Sequence, residues 1–78
     1  MYKDLVEYIV KSLVDNSDQV SVREIKSAST IILELSVADG DMGRVIGKQG
    51  RVINSIRAIV QVLAAKQGQR VNLEVVED

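Results

Sequence analysis

Hydrophobic residues recur at helical spacing over the first part of the chain. Between residues 2 and 14 the charged side chains fall on one side of a helix and the apolar ones on the other, the apolar set being Leu5, Val6, Ile9, Val10 and Leu13. Apolar positions that repeat about every 3.6 residues are typical of an amphipathic helix with one face on a core. The pattern therefore predicts a helix that ends at the polar stretch DNS, residues 15–17.

Two stretches with strand character follow. Residues 20–26 are rich in β-branched side chains, although their alternation is imperfect around Glu24 and Ile25. Because only the short stretch SAS separates them from residues 30–37, TIILELSV, we expect the two strands to pair as a hairpin. The second stretch alternates cleanly, and one of its faces consists of Ile31, Leu33, Leu35 and Val37.

A brief helix is expected after the second strand. The stretch ADGDMG, residues 38–43, breaks the strand and offers Asp39 or Asp41 as an amino-terminal cap. The helix would then continue through Val45 and Ile46.

The next periodic stretch predicts a longer helix from Arg51 to about Lys66. Gly68 is placed to close it, because glycine is favoured just past the last turn. Residues 71–75 then alternate as a last strand. The stripe of the long helix that should face the sheet consists of Val52, Ile53, Ile56, Ile59, Val60, Leu63 and Ala64.

The order of elements, α-β-β-α-α-β, constrains the topology. The first two strands form an antiparallel hairpin, whereas two helices separate the second strand from the last and return the last strand parallel to it. We therefore expect a single α+β domain over residues 1–78. Its three-stranded mixed sheet should be covered on one face by three helices.

Composition narrows the possible functions. The 78 residues include no cysteine and no histidine, which excludes disulfides and thiolate metal sites and removes the commonest general base. No window approaches the roughly 18 consecutive apolar residues of a membrane span, and the first residues, MYKDLVEY, are too charged for a signal peptide. We therefore expect a soluble, intracellular protein without a metal or cofactor, in which catalysis is disfavoured.

Charge is segregated along the chain. The net charge is only -1, yet residues 1–41 sum to -4, residues 42–70 to +6 and residues 71–78 to -3. A cationic segment in an otherwise acidic molecule is the footprint expected where phosphate groups are bound. The alternative is a basic helix face that is simply solvated by water. The segment contains no acidic residue, and its basic residues are Arg44, Lys48, Arg51, Arg57, Lys66 and Arg70.

The stretch GKQG, residues 47–50, lies between the two predicted helices of the second half. A glycine at each end permits unusual backbone angles and removes the Cβ atoms that would keep another backbone at a distance. The long helix begins directly afterwards, so its unpaired N–H groups and its dipole offer an anion site. Since Lys48 and Arg51 add positive charge, we expect the turn to receive a sugar-phosphate backbone.

The stretch VIGKQGRVI, residues 45–53, resembles the signature of the KH domain. That signature is an isoleucine, a glycine, two variable residues that are often basic, a second glycine, and an isoleucine three residues further on. The predicted order of elements is that of the type II, bacterial form of the domain. Over its full length the chain is also similar to small stand-alone bacterial KH-domain RNA-binding proteins of the KhpA-like group. The matching residues are Ile46, Gly47, Lys48, Gln49, Gly50 and Ile53.

The resemblance implies a function and partners. KH domains clamp about four nucleotides of single-stranded RNA or DNA by their backbone. The resemblance further implies a cytoplasmic RNA-binding protein, a bacterial post-transcriptional regulator or RNA chaperone. Such a protein forms homodimers and can pair with a larger, multidomain KH-containing protein linked to cell elongation. The residues implied to bind nucleic acid are Arg44, Ile46, Gly47, Lys48, Gln49, Gly50 and Arg51.

Several residues also have purely structural interpretations. Ile46 is expected in the core, and a second role in an apolar floor beneath the bases is left open. Asp39 and Asp41 suit caps better than metal ligands, because two carboxylates without other oxygen donors make a poor metal site. Arg57 and Lys66 lie far enough along the helix to be expected in solvent.

Two other classes of function are weighed. An enzyme would lack a second group to supply a nucleophile or base, and GKQG lacks the full spacing and the Lys-Ser/Thr ending of a nucleotide-binding P-loop. The stronger alternative is a protein interaction module in which RNA contact is secondary. A partner would then cover the surface around GKQG.

One edge of the long helix is the candidate surface for self-association. Val62 falls outside the stripe that should face the sheet, on the side bordered by Ile59 and Val52. An exposed apolar edge on so small a domain is a candidate contact surface, although isolated exposed valines are ordinary. Ile59 and Val62 are therefore predicted to lie at a homodimer interface.

Overall fold

The sheet has the predicted topology. In the computed structural model, which describes residues 1–76, strand β1 (Ser21–Ser27) pairs antiparallel with β2 (Thr30–Ser36). Strand β3 (Arg70–Val75) runs parallel to β2, and the strand order β1-β2-β3 places β2 at the centre. The hairpin, the parallel return of the last strand and the central position of TIILELSV are confirmed.

Helices cover one face of this sheet, which confirms the predicted α+β class. Within the described residues they are α1 (Tyr2–Leu13), α2 (Met42–Ile46) and α3 (Arg51–Lys66). No helix among residues 1–76 is long and apolar enough to cross a membrane. Short 3₁₀ turns, which the sequence pattern did not predict, lie at Ser17–Gln19, Asp39–Asp41 and Lys48–Gly50.

The core lies between the helices and the inner face of the sheet. Val37, which was expected on this face, lies just past the end of β2 and is half-buried. The sheet contributes Val22, Ile31, Leu33, Leu35, Val71 and Leu73, and the helices contribute Tyr2, Val6, Val10, Val45, Ile53, Ile56, Val60 and Ala64. Each fully buried aliphatic side chain of this kind contributes roughly 1.5–3 kcal/mol to folding.

The buried stripe of α3 is narrower than predicted. Ile53, Ile56 and Val60 are buried, but Ile59 is 48% exposed and Leu63 is 40% exposed. At about 100° per residue, Ile59 and Leu63 lie on one flank of the buried row. The expectation that they face the sheet is wrong, because the packed elements cover only the centre of the apolar stripe.

Strand β3 forms an edge of the sheet, and α3 is held to that edge by Arg57. The N–H of Arg70 donates to the Ser29 carbonyl at 2.9 Å and the N–H of Val76 donates to the Leu35 carbonyl at 2.8 Å. Since alternate residues of a parallel strand bond to the same neighbour, Val71, Leu73 and Val75 turn their backbone groups outward. The outward carbonyl of Leu73 accepts a hydrogen bond from Arg57 Nε at 2.9 Å. The expectation that Arg57 is solvated surface is therefore wrong, whereas Lys66 is exposed as predicted.

The turn from α3 to β3 is fixed by several hydrogen bonds. Gly68 has φ 71°, its N–H donates to the Ala65 carbonyl at 3.1 Å, and the N–H of Gln69 donates to the Ala64 carbonyl at 2.9 Å. This pair of bonds is the Schellman motif, so the closure of the helix by Gly68 is confirmed. The hydroxyl of Tyr2 holds the same turn to α1, since it lies 2.7 Å from Oε1 of Gln67 and 3.2 Å from Oε1 of Gln69.

Candidate nucleic-acid interface

GKQG forms the turn between α2 and α3, as the sequence predicted. The N–H of Gly50 donates to the carbonyl of Gly47 at 3.1 Å. Gly47 and Gly50 both have φ 77°, and Gln49 between them has φ 57°. Positive φ is common for glycine and rare for other residues, so the two glycines stand where the backbone requires them.

Gly47 is required for a second, steric reason. A Cβ atom at this position would lie 2.8 Å from the backbone nitrogen of Val52, in the first turn of α3. Its ψ of 172° together with the positive φ also belongs to a region that is essentially restricted to glycine. At Gly50 a Cβ would meet Asn54 Nδ2 at an ordinary 3.4 Å, so only the backbone conformation favours glycine there.

The first turn of α3 offers backbone donors next to this turn. The N–H of Arg51 donates to the Lys48 carbonyl, and within the described residues the helix begins without a side-chain cap. The first N–H groups of a helix lack partners within it, and the helix dipole places partial positive charge at the same end. The start of α3 is therefore suited to bind an anion.

The positively charged side chains around the turn are exposed. Lys48 lies in the turn, Arg51 begins α3, and Arg44 lies in α2. Nη2 of Arg44 is 3.4 Å from Oδ2 of Asp15, in an ion pair whose two side chains are 59% and 74% exposed. Such exposed pairs are weak and are screened by salt, so Arg44 can exchange this partner for a phosphate at little cost.

The residues predicted to bind nucleic acid lie in α2, in the GKQG turn and at the first residue of α3. Gln49 is exposed beside Lys48, while Ile46 at the end of α2 is half-buried and packs against the core. The partial burial of Ile46 is compatible with both roles considered for it, because part of the side chain remains accessible. The donors and cations gathered here can bind anions.

Asp41 anchors α2 and does not cap it through its side chain. Its carboxylate accepts hydrogen bonds from the N–H of Asn16 at 3.0 Å, the N–H of Asp15 at 3.2 Å and Nδ2 of Asn16 at 3.1 Å. The hydrogen bond from the Asn16 N–H is the largest of several effects that lower the pKa of Asp41. The burial of the carboxyl acts in the opposite direction. Asp41 therefore stands at the predicted N-cap position of α2, but neither its side chain nor that of Asp39 forms a cap hydrogen bond in the described part of the chain.

No local pattern reveals this role of Asp41, because its partners lie 25 and 26 residues earlier in the chain. Nor do the aspartates point to a metal site. Among residues 1–76, no group of three or more histidine, cysteine, aspartate or glutamate side chains is placed to hold a metal ion.

The fold and the turn define the class of protein. A helix-covered mixed sheet of this order, with a glycine-flanked turn between its second and third helices, is a type II KH domain. The fold is similar to part of Era from Aquifex aeolicus bound to GDP·AlF4⁻, with a TM-score of 0.68 at 20% identity over 99% of this chain and 31% of that one. It is likewise similar to Era in complex with MgGDPNP and nucleotides 1506–1542 of 16S ribosomal RNA, with a TM-score of 0.59 at 19% identity over the same shares.

Sequence comparison gives the family. A family model described as KhpA/KhpB, KH domain, matches residues 3–75, and the chain belongs to this family. Curated relatives named RNA-binding protein KhpA include that of Clostridium acetobutylicum, 50% identical over 95% of this chain and 99% of the relative. The relative from Aquifex aeolicus is 47% identical over 96% of this chain and 95% of the relative. The relative from Chlamydia trachomatis is 43% identical over 97% of this chain and 97% of the relative. The resemblance stated from the sequence is confirmed.

Proposed function

We propose that the chain binds single-stranded RNA and clamps the backbone of about four nucleotides between the GKQG turn and the start of α3. The observation that carries this proposal is the geometry of the turn. Gly47 and Gly50 place backbone without Cβ atoms directly before the first turn of α3, with Lys48 and Arg51 beside it. The names of the relatives support RNA as the ligand and a binding function over a catalytic one.

In this clamp each group has a distinct role. The N–H groups at the start of α3 receive a phosphate, and Lys48 and Arg51 supply charge to it and to its neighbours. Arg44 turns from Asp15 toward the strand, and the accessible part of Ile46 contacts a base. Gln49 and the two glycines let the sugar-phosphate chain approach closely.

Backbone contacts of this kind carry little sequence information. The clamp therefore suits permissive binding of many RNAs, which is the behaviour expected of a post-transcriptional regulator or RNA chaperone in the bacterial cytoplasm. A protein interaction module with incidental RNA contact is the less supported alternative, because the relatives are named for RNA binding.

We also propose that the chain forms a homodimer through the α3 patch, defined as Ala58, Ile59, Val62 and Leu63. The side chains of Ile59, Val62 and Leu63 are 48%, 67% and 40% exposed, and these residues form one apolar surface on a single helix. A two-fold contact brings this helix against its own copy, so every apolar residue of the patch contributes twice. The same patch is open to the second expected partner, a larger multidomain KH-containing protein.

Replacement of both Lys48 and Gln49 by Asp tests the clamp. Both side chains are exposed, so the fold should persist, while two carboxylates in the turn should repel phosphate and lower RNA affinity by at least about tenfold. Mobility-shift titration with single-stranded RNA measures the affinity, and circular dichroism measures the helix content.

A control pair makes the same change of charge elsewhere. Lys26 and Ser27 are exposed at the end of β1, and replacing both by Asp should leave RNA binding nearly unchanged. An equal loss of binding in both double variants would show a general effect of net charge and would count against the clamp. Unimpaired binding by the Lys48→Asp, Gln49→Asp protein would refute it.

A further inference from the structure

Strand β1 forms the second edge of the sheet, on the opposite side of β2 from β3. The N–H of Val76 donates to the carbonyl of Leu35, and that of Arg70 donates to the carbonyl of Ser29. The odd-numbered residues of β2 therefore bond to β3. Because alternate residues of a central strand bond to opposite neighbours, the even-numbered residues of β2 bond to β1.

The register shows which backbone groups of β1 point away from the sheet. Ile25 is the partner of Ile32, so its N–H and carbonyl bond inward to β2. Glu24 and Lys26, on either side of Ile25, therefore turn their N–H and carbonyl groups outward. Backbone donors and acceptors in a row along an edge strand are a template for the pairing of another strand.

The helices cover only the first part of β1. Val22, Glu24 and Lys26 point to the same face of the sheet, because side chains alternate along a strand. Of these three residues Val22 is buried, Glu24 is half-buried and Lys26 is exposed. The part of β1 next to the hairpin turn is therefore accessible to another chain.

The charges of β1 favour one register for pairing with a second copy. In an antiparallel pair about a two-fold axis, outward backbone groups must oppose outward ones. Registers that overlap by five or more of the seven residues of each strand are centred on Arg23, Glu24 or Ile25. The first two place Arg23 or Glu24 opposite its own copy, and like charges directly opposite are destabilising. The register centred on Ile25 instead places Glu24 opposite Lys26 of the second copy, and Lys26 opposite Glu24.

Three further observations fit the register centred on Ile25. Ile25 then lies opposite its own copy on the open face of the sheet, beside Ile32, and forms an apolar row with it. Among residues 1–76, neither Glu24 nor Lys26 has an ion-pair partner, so both charges are available. The buried Val22 lies outside the paired residues 23–27, so the helices that cover it remain apart in the two copies.

We propose that the β1 edge, defined as residues 23–27, pairs antiparallel with the β1 edge of a second copy in the register centred on Ile25. The two sheets would then form one continuous sheet across the two-fold axis. Since a standard interface has about 20–30 residues a side, this small contact should have a dissociation constant on the order of 1 mM. Together with the α3 patch it would link dimers into open chains, and only this consequence rests on the proposed dimer.

The test is a dilution series of the full chain followed by ¹H–¹⁵N NMR, from millimolar to tens of micromolar, with Val62→Asp present to remove the α3 contact. The backbone amide signals of Glu24 and Lys26 should shift with concentration, and that of Ile25, already bonded to β2, should shift less. Glu24→Lys and Lys26→Glu should each weaken the association at least about fivefold, because both charge pairs become like-charged. The double variant Glu24→Lys, Lys26→Glu should restore it, since the pairs are again opposite and the net charge is that of the parent protein.

A control variant makes the same change of charge away from β1. Asp4→Lys, at an exposed position of α1, should leave the association unchanged, and an equal loss in this variant would contradict the assignment to β1. Signals of Glu24 and Lys26 that do not depend on concentration would overturn the proposal, as would a double variant that associates no better than the single ones. Shifts confined to the α3 patch would also overturn it. Because no RNA is present, none of these results depends on the clamp.

Discussion

At Gly47 the chain leaves α2 and passes directly against the first turn of α3, so that a Cβ atom here would lie 2.8 Å from the backbone nitrogen of Val52. Gly43, four residues earlier and inside α2, is a contrasting case. No described atom beyond its neighbours and its own helix lies within 4 Å of the Cβ that a side chain would place there, and its φ is not positive. The two glycines therefore form a matched pair for mutation.

We predict opposite effects from alanine at these two positions. Gly47→Ala should lower the free energy of unfolding by at least about 2 kcal/mol, because it combines a strained backbone with a collision. Gly43→Ala should raise it by about 0.4–1 kcal/mol, because it restricts the unfolded chain without strain in the helix. Urea denaturation of both variants and the wild type measures these changes, and a Gly47→Ala protein as stable as the wild type would contradict the model of the turn.

Some residue roles could be predicted from the sequence pattern and others could not. The roles of Gly47 and Gly50 in the turn were predictable, since glycine spacing between two periodic stretches is visible in the sequence. The left-handed conformation of Gln49 could not be predicted, because residues other than glycine seldom adopt it. The bonds of Asp41 and Arg57 were missed because each reaches a partner on a different element, far along the chain.

Among the elements, α2 is held in place by Asp41, whose carboxylate accepts hydrogen bonds from the segment that follows α1. Because the fold lowers the pKa of this carboxyl below its ordinary value of 3.8, its contribution to stability is present above that value. The contribution is lost as the pH falls through the lowered pKa of the folded state. The position of α2, and with it the start of the GKQG turn, is therefore expected to weaken in acid.

This dependence predicts the behaviour of two amide variants. Asp41→Asn should lower the urea midpoint at pH 7, since one acceptor oxygen becomes a donor facing other donors, and its midpoint should fall less than that of the wild type between pH 5 and pH 3. Asp39→Asn, at an exposed position two residues earlier, should follow the wild-type profile. Parallel pH profiles for Asp41→Asn and the wild type would show that Asp41 does not have this role.

The order and pairing of the elements were largely predictable, because hydrophobic periodicity distinguishes helices from strands and a two-helix crossover requires the parallel return of β3. The width of the buried stripe on α3 could not be predicted in the same way. Periodicity shows that Ile59 and Leu63 lie near the apolar side, but only the packed structure shows that this flank remains exposed.

The exposure of the α3 patch concerns the whole molecule, because it offers an apolar surface for a second copy. We predict that the wild type sediments as a dimer at tens of micromolar and that Val62→Asp is monomeric. Val62 is 67% exposed, so this change should not disturb the core. Tyr8→Asp, which alters another exposed apolar residue on α1, should remain dimeric. Sedimentation equilibrium decides the matter: a monomeric wild type, or a fully dimeric Val62→Asp, would contradict the proposed interface.

The charge distribution is the second property of the whole molecule that bears on function. The chain has a net charge of -1, so the proposed attraction of RNA depends on the basic segment and not on the protein as a whole. The segregation of charge along the sequence alone could not assign this segment to RNA binding, because a solvated basic helix face has the same composition. Arg44, Lys48 and Arg51 lie in or next to the turn before α3, which begins without a side-chain cap among residues 1–76, and this placement supports the proposed RNA site.

The salt dependence of RNA binding tests the clamp most directly, because it counts the phosphates that the protein neutralises. For roughly two to four phosphates of a single strand, the slope of log K against log salt should be about -1.5 to -3, at about -0.7 per phosphate. Lys48→Gln should reduce the steepness by about 0.7, the share of one phosphate contact. A slope near zero for the wild type, or an unchanged slope in Lys48→Gln, would contradict the proposal that the GKQG turn holds the RNA backbone.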